Sequence, residues 1–165
     1  MHGARKRPSE RRNDAVGVTG GSHCSVAMGR TIELRPDSAV AQVAGAVPRA
    51  IVLPANLRGR ERTVKISPAG VAHIRRRRPQ WLAFCLAHIP EVLSAPDYIG
   101  QRPGGDHRRV EFVRLVGRPR RWLLVSVKFL DEQREAWVNS AHPLADVHLT
   151  RRVRAGTLWR VGRGP

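Results

Sequence analysis

Six short segments after residue 62 are predicted as strands: in 63–66 and 109–116 apolar and polar residues alternate with a period of two, and 122–130 is strongly apolar. The six segments are 63–66, 97–99, 109–116, 122–130, 135–140 and 157–161. This alternation is typical of strands with one buried face, and the short Gly-, Pro- and Asp-rich turns between the central segments favour antiparallel neighbours. The last segment also fits the end of a helix, and the preceding stretch, 142–152, is predicted as a loop or a short helix.

Helical patterns lie between the first two predicted strands. Ser67-Pro68 is a helix start, with a hydroxyl at the cap and proline at the first helical position. Pro79 interrupts this helix, and a second piece over 80–87 is followed by a further turn at 89–93. The order of elements predicts an α+β fold. In it, N-terminal helices pack on one face of a mainly antiparallel sheet of four to five strands.

The first sixty residues show weaker patterns. Residues 1–30 are rich in Arg, Gly and Ser without a hydrophobic period, and are predicted to be a disordered basic tail. Residues 31–60 are predicted to be a loosely packed arm, with a short strand at 31–34 and a short helix over 37–47. The folded domain is then expected over 61–165.

The charge of the chain indicates a polyanionic partner. Lys and Arg total 30 against 13 acidic residues, so the formal net charge is +17, and only three of the basic residues are lysines. The guanidinium fork matches phosphate oxygens two at a time. A GC-rich genome would also favour arginine over lysine, but it does not explain the excess of charge. We expect RNA as the partner, with DNA the weaker alternative.

Several classes of protein are excluded by what the chain lacks. Its two cysteines cannot form a disulfide framework, its apolar runs are too short to span a membrane, and no signal peptide is recognisable. The sequence also contains no Gly-rich phosphate loop, no nucleophile elbow and no zinc-binding spacing. Carboxylates are too sparse for a two-metal nuclease. We therefore expect a cytoplasmic protein without a metal or other cofactor.

A set of short motifs suggests a family. They are Val71-Ala72-His73-Ile74, Ile89-Pro90-Glu91-Val92-Leu93, Pro96-Asp97-Tyr98-Ile99 and Trp137-Val138-Asn139-Ser140-Ala141. With the two hairpin strands between them, residues 62–161 resemble the phage and mobile-element branch of the barnase–EndoU–colicin–RelE-like nuclease superfamily. The resemblance implies a metal-independent endoribonuclease, acting as a toxin or phage effector with a protein inhibitor. Such enzymes cleave RNA through attack by the ribose 2′-hydroxyl.

The resemblance also implies site residues. His73 matches the helix histidine, and Ser140 matches a hydroxyl at the end of a strand. Many relatives carry a second histidine shortly after the first, where this chain has Arg75 to Arg78. The departure leaves the general acid unassigned and keeps a second hypothesis open, a non-catalytic RNA- or DNA-binding module on a degenerate nuclease fold.

Further site residues come from the residues themselves. Lys128 lies in an apolar strand and, by alternation with Val125 and Val127, should point to the opposite face of the sheet. His142 follows Ser140 closely enough to share a cleft with it. The alternatives are an edge charge for Lys128, a turn residue for Ser140 and a loop histidine for His142. The arginines predicted to bind nucleic acid are Arg75, Arg76, Arg77, Arg78, Arg108, Arg109, Arg120 and Arg121.

Overall fold

The computed structural model describes residues 32–54, 57, 62–102, 104–130 and 135–162. All of them belong to one unit, Thr31–Pro165. The predicted basic tail over 1–30 lies outside the described residues.

The described residues form an α+β fold, as predicted, with three α helices. Their sheet is mixed and has seven strands, instead of the four to five that were predicted. In chain order the elements are β1 (Gln42–Ala46), β2 (Thr63–Ile66), α1 (Pro68–Arg77), a 3₁₀ turn (Pro79–Trp81), α2 (Leu82–Ser94), β3 (Tyr98–Gly100), β4 (Arg109–Val116), β5 (Arg121–Leu130), β6 (Glu135–Leu144), α3 (Asp146–Arg154) and β7 (Leu158–Arg160). The strand order is β1-β2-β6-β5-β4-β3-β7. Only β2 and β6 pair in parallel among the described strands.

Helix α1 begins and ends where the sequence predicts. The Ser67 hydroxyl accepts a hydrogen bond from the backbone N–H of Gly70 at 3.0 Å, and Pro68 occupies the first turn. The helix stops before Pro79. Helix α2, however, runs without a break through Pro90.

The continuity of α2 follows from burial. A proline inside a helix costs about 3 kcal/mol. Five apolar side chains of α2 are buried, and each contributes roughly 1.5–3 kcal/mol. Because their summed burial exceeds the cost of one proline, the two predicted pieces form a single helix.

The main core lies between α2 and one face of the sheet. Alternate residues of β5 point into it, and the same is true of β4, where Phe112 is fully buried. The β5 residues in this core are Leu123, Val125, Val127 and Phe129. Lys128 therefore lies on the other face, as its alternation with Val125 and Val127 predicted.

The prediction of a loosely packed arm over 31–60 is wrong. Instead of a helix over 37–47, strand β1 pairs with β2, and the described part of 31–34 contains no strand. Six apolar residues of this segment lie in the main core: Leu34, Ala44, Val47, Ile51, Leu53 and Leu57. Their spacing in the sequence matches neither a helix nor a strand, because much of this segment has no regular secondary structure. Only the tertiary fold brings these side chains together. The Arg62 guanidinium stabilises this segment by donating hydrogen bonds to the backbone carbonyls of Pro48 and Ile51.

A further helix, α3, packs on the face of the sheet opposite α2. Leu149 of α3 is buried there with Val113, Leu124 and Leu158. Strand β6 continues through Leu144 before α3 begins, so the predicted loop or short helix over 142–152 is a strand end followed by a helix. The segment at the C-terminus is a strand, one of the two alternatives. No helix in the described ranges is long and apolar enough to cross a lipid bilayer.

Candidate active site

Three rows of cross-strand neighbours lie on the sheet face opposite α2. The first row is Arg109, Lys128 and Trp137, with Lys65 beyond Trp137; the second is Glu111, Ser126 and Ser140; the third is Val113, Leu124 and His142. Successive rows are separated by two residues along a strand, which is roughly 7 Å. The predicted residues Lys128, Ser140 and His142 therefore lie in three consecutive rows of one face.

A β-bulge in β6 interrupts these rows. Ser126 pairs with Ser140 and Val127 pairs with Val138, so Asn139 has no partner on β5. An extra residue of this kind bends a strand and changes the direction of the side chains around it. Both Val138 and Ala141 are buried in the main core, and Asn139 and Ser140 lie between them, at the uncovered surface.

Helix α1 packs along the edge of β6 beyond the point where β2 ends. The β2–β6 pairing covers only Val64 and Lys65, after which the chain enters α1. A Cβ atom on Gly70 would lie 3.2 Å from the carbonyl oxygen of Val138, so glycine permits the helix to approach the strand closely. This approach carries His73, one turn later, to the side of Asn139.

Two cavities, each of about 460 Å³, open side by side on this face. The first, here the helix cavity, lies between α1, β5 and β6 and is lined by His73, Lys128, Trp137 and Asn139 among others. The second, here the sheet cavity, is lined by Arg102, Asp106, Arg109, Asn139, Ser140 and His142 among others. Asn139 lines both, so the four predicted catalytic residues line two adjacent cavities that share one residue, His73 and Lys128 in the helix cavity and Ser140 and His142 in the sheet cavity.

Asp106, in the lining of the sheet cavity, forms an ion pair with Lys128, in the lining of the helix cavity. Its carboxylate lies 3.2 Å from Nζ of Lys128 and accepts hydrogen bonds from the backbone N–H and Nε of Arg108 at 3.0 and 3.1 Å. The bonds from Arg108, then that from Lys128, hold the pKa of Asp106 well below its usual range. The carboxylate keeps the Lys128 ammonium in position and neutralises part of the local positive charge.

His142 is half-buried at the far end of the sheet cavity. Burial lowers its pKa, the positive charges of Arg78 and Arg152 lower it further, and the negative charge of Glu111 partly offsets them. Glu111 is itself ion-paired with Arg152. His142 is therefore a neutral imidazole at pH 7, able to accept a proton.

Three of the eight arginines predicted to bind nucleic acid line a cavity or act on a residue that does. Arg109 lines the sheet cavity, Arg108 is bonded to Asp106, and Arg78 contributes positive potential at His142. Arg76 and Arg77 are exposed on α1. Arg75 belongs with neither cavity, because its guanidinium pairs with Asp37 at 2.8 Å.

The other two arginines lie outside the cavities. Arg120 and Arg121 are at the β4–β5 turn. Arg121 is three residues along β5 from Leu124, the strand partner of His142, which is roughly 10 Å, and seven residues from Lys128, which is roughly 23 Å. The Arg121 guanidinium lies over the ring of Trp81, 5.0 Å from its centroid, on the side covered by helices. Position in the sequence did not distinguish these two arginines from Arg108 and Arg109, since each pair lies beside a predicted turn at one end of β4.

Residues that sequence reasoning missed are Asn139, Asp106, Glu111 and Arg102. Asp106 lies in a predicted turn, where the residue pattern gives no sign of its contacts to Arg108 and Lys128. Asn139 reaches the cavities because of the bulge, which has no signature in the residue pattern. In the described part of the chain, no group of three or more His, Cys, Asp or Glu could hold a metal ion.

Comparisons with models of protein families, with curated proteins and with solved structures gave no match. The resemblance to the barnase–EndoU–colicin–RelE-like nucleases therefore stays a prediction.

Proposed function

We propose that the protein is a metal-independent endoribonuclease that cleaves RNA through attack of a ribose 2′-hydroxyl on the adjacent phosphate. One observation carries the proposal. Two imidazoles, His73 and His142, and the ammonium of Lys128 surround a surface on which Asn139 and Ser140 present hydrogen-bonding groups. These are the groups that the reaction requires: a base, an acid and a cation beside the phosphate.

In the proposed reaction, neutral His142 accepts the proton of the 2′-hydroxyl as the 2′-oxygen forms a bond to phosphorus. The bond between phosphorus and the 5′-oxygen breaks, and His73 donates a proton to that oxygen. The products are a 2′,3′-cyclic phosphate and a free 5′-hydroxyl. His142 suits the base because its lowered pKa keeps it deprotonated at neutral pH.

The phosphate is expected over the middle row, between Lys128 and His142. Ser126 and Ser140 are directly paired there, so their hydroxyls can donate to the phosphate oxygens. Lys128 and His142 each lie one row away, roughly 7 Å along the strands, and both side chains can reach toward the middle. Lys128 and Arg109 would stabilise the negative charge of the pentavalent phosphorus.

Cleavage in the presence of a chelator tests the proposal. The protein, incubated with single-stranded RNA in excess EDTA, should produce fragments ending in 2′,3′-cyclic phosphate, detected by mass spectrometry. The same sequence in DNA lacks the 2′-hydroxyl and should remain intact. Binding of RNA without cleavage at any pH would contradict the proposal and favour the non-catalytic binding module. Cleavage that requires added Mg²⁺ would also contradict it.

The resemblance extends the proposal to a biological setting. A toxin or phage effector of this kind would need a protein inhibitor in the cell that makes it. Its partners would then be RNA and an acidic inhibitor covering the positively charged cavities.

The Asp106 carboxylate should weaken the binding of RNA, because it occupies the cations that a phosphate would use. Asp106→Asn is expected to bind a 2′-O-methyl oligonucleotide more tightly. The slope of log K against log[salt] should steepen by about 0.7–0.9 for each additional phosphate that the protein neutralises. Fluorescence anisotropy between 50 and 200 mM salt measures both. Asp146→Asn removes the same charge from α3 outside the cavities; an equal increase in affinity in that variant would mean that net charge alone is responsible.

A further inference from the structure

The helix cavity differs in chemistry from the sheet cavity beside it. The sheet cavity is lined by charged and hydroxyl groups, whereas the helix cavity has an apolar wall formed by Ala69, Leu130 and Val138. Trp137 and the catalytic candidates His73 and Lys128 also line it, together with Ser67, Gly70 and Asn139. At about 460 Å³ it falls within the size range of sites for small organic ligands. A phosphate alone would gain little from such a wall.

The indole of Trp137 is held in place from outside the cavity. Its Nε1 donates to Oε2 of Glu135 at 2.9 Å, and Nζ of Lys65, paired with Oε1 of the same carboxylate at 2.8 Å, lies 5.6 Å from the ring centroid. Lys65 and Glu135 are not among the described residues that line the cavity. The groups that fix the ring are therefore not part of the lining of the cavity that the indole lines.

A flat, fixed aromatic ring beside cations suits a nucleobase. Trp137 is directly paired with Lys128 across the strands, so a base stacked on the indole brings its own phosphate to the ammonium and to the middle row. Asn139, at the bulge, lines both cavities. Its amide forms no side-chain hydrogen bond to another described residue. An amide both donates and accepts, which is what the edge of a base requires.

We propose that the helix cavity binds one unstacked nucleobase against Trp137, so that the protein selects single-stranded RNA over duplex RNA. The base enters the helix cavity while its phosphate lies in the sheet cavity, and Asn139 contacts the nucleotide at the junction. A base held in a helical stack cannot reach the indole, because it must leave its neighbours to do so. The inference rests on the proposed function only for the identity of the polyanion as RNA.

Binding measurements with two probes test this inference without catalysis. The first probe is a fluorescent eight-nucleotide 2′-O-methyl RNA, which cannot be cleaved because its nucleophile is blocked. The second is an oligomer of the same length that has the sugar-phosphate chain but no bases. Trp137→Ala should weaken binding of the first probe by about 5- to 150-fold, the range for loss of one stacked base, and change binding of the second less than about twofold. Trp137→Phe should keep most of the affinity.

Trp81→Ala is the matched control, since Trp81 also has a cation over its ring but lies on the helix-covered side of the sheet. It should bind both probes like the wild type. The 2′-O-methyl duplex should bind the wild type no more tightly than the base-free oligomer. Equal losses on both probes in Trp137→Ala, no loss on either, or duplex binding as tight as single-strand binding would each overturn the inference. Circular dichroism of each variant verifies that it is folded.

The outcome is separable from that of the proposed function. If unmodified RNA is cleaved in EDTA but Trp137→Ala and Trp81→Ala bind alike, the nuclease stands and the base site does not. If no RNA is cleaved but the Trp137 variants lose affinity for the base-containing probe alone, the base site stands and the protein is a binding module.

Discussion

Replacing His142 by glutamine should lower kcat/KM for RNA cleavage by about 10²- to 10⁴-fold, the usual contribution of a general base. Glutamine fills a similar volume and can still form hydrogen bonds, but it cannot accept the proton of the 2′-hydroxyl. His73→Gln should cause a loss of the same order by removing the proposed acid. The double variant should lose less than the product of the two, since both residues serve the same transition state.

The measurement is the rate of cleavage of a fluorescent RNA in EDTA under conditions of low substrate. His148→Gln is the matched control, because His148 is exposed on α3 and lines neither cavity. It should retain the wild-type rate. A wild-type rate in His142→Gln would remove His142 from the mechanism. A wild-type rate in His73→Gln as well would mean that the activity does not belong to this site.

The pH profile gives an independent readout of His142. Burial and the charges of Arg78 and Arg152 lower its pKa in the folded protein, so the acid limb of kcat/KM should fall below pH 6.5. The unfolded chain takes up that proton more readily than the folded one. The free energy of unfolding should therefore decrease as the pH drops below about 6.5, and His142→Gln should lack both effects.

Leu53→Ala should destabilise the protein by about 2–5 kcal/mol, the usual cost of removing a large buried side chain from a packed core. Leu53 is 1% exposed and belongs to the main core, although it lies between two prolines in a segment without regular structure. A loosely packed arm would tolerate the same change almost without cost. Urea unfolding followed by tryptophan fluorescence measures the midpoint and the slope m.

The adjacent residue is the control for Leu53. Val52 is 66% exposed, so Val52→Ala should change the free energy of unfolding by less than about 0.5 kcal/mol. Similar small effects for both variants would mean that residues 48–54 do not contribute to the core. A lower midpoint with unchanged m in Leu53→Ala alone would indicate that this segment unfolds together with the sheet.

Local sequence patterns predicted the structure correctly where a residue type has one main physical consequence for the backbone or for the direction of a side chain. Capping explains the start of α1 at Ser67, and the geometry of the proline ring explains its end before Pro79. Alternation explains the limits of β4 and the face on which Lys128 lies. Each depends on residues within a few positions of one another. The same reasoning failed for β1, because the burial of that segment arises from contacts with β2 and α2 that leave no period in its sequence.

The sequence by itself determined the α+β class, the central antiparallel strands, the excess of positive charge and the residue types available for proton transfer. Only the tertiary structure decided that His73, from a helix, lies beside Asn139 and Lys128, and that Arg120 and Arg121 lie at the far end of the sheet. The reason is that a strand or helix depends on its own residues, whereas a site depends on the parallel pairing of β2 with β6, on a glycine that admits α1, and on a bulge. These features set the distances between elements that are remote in the sequence, and those distances depend on how the elements pack.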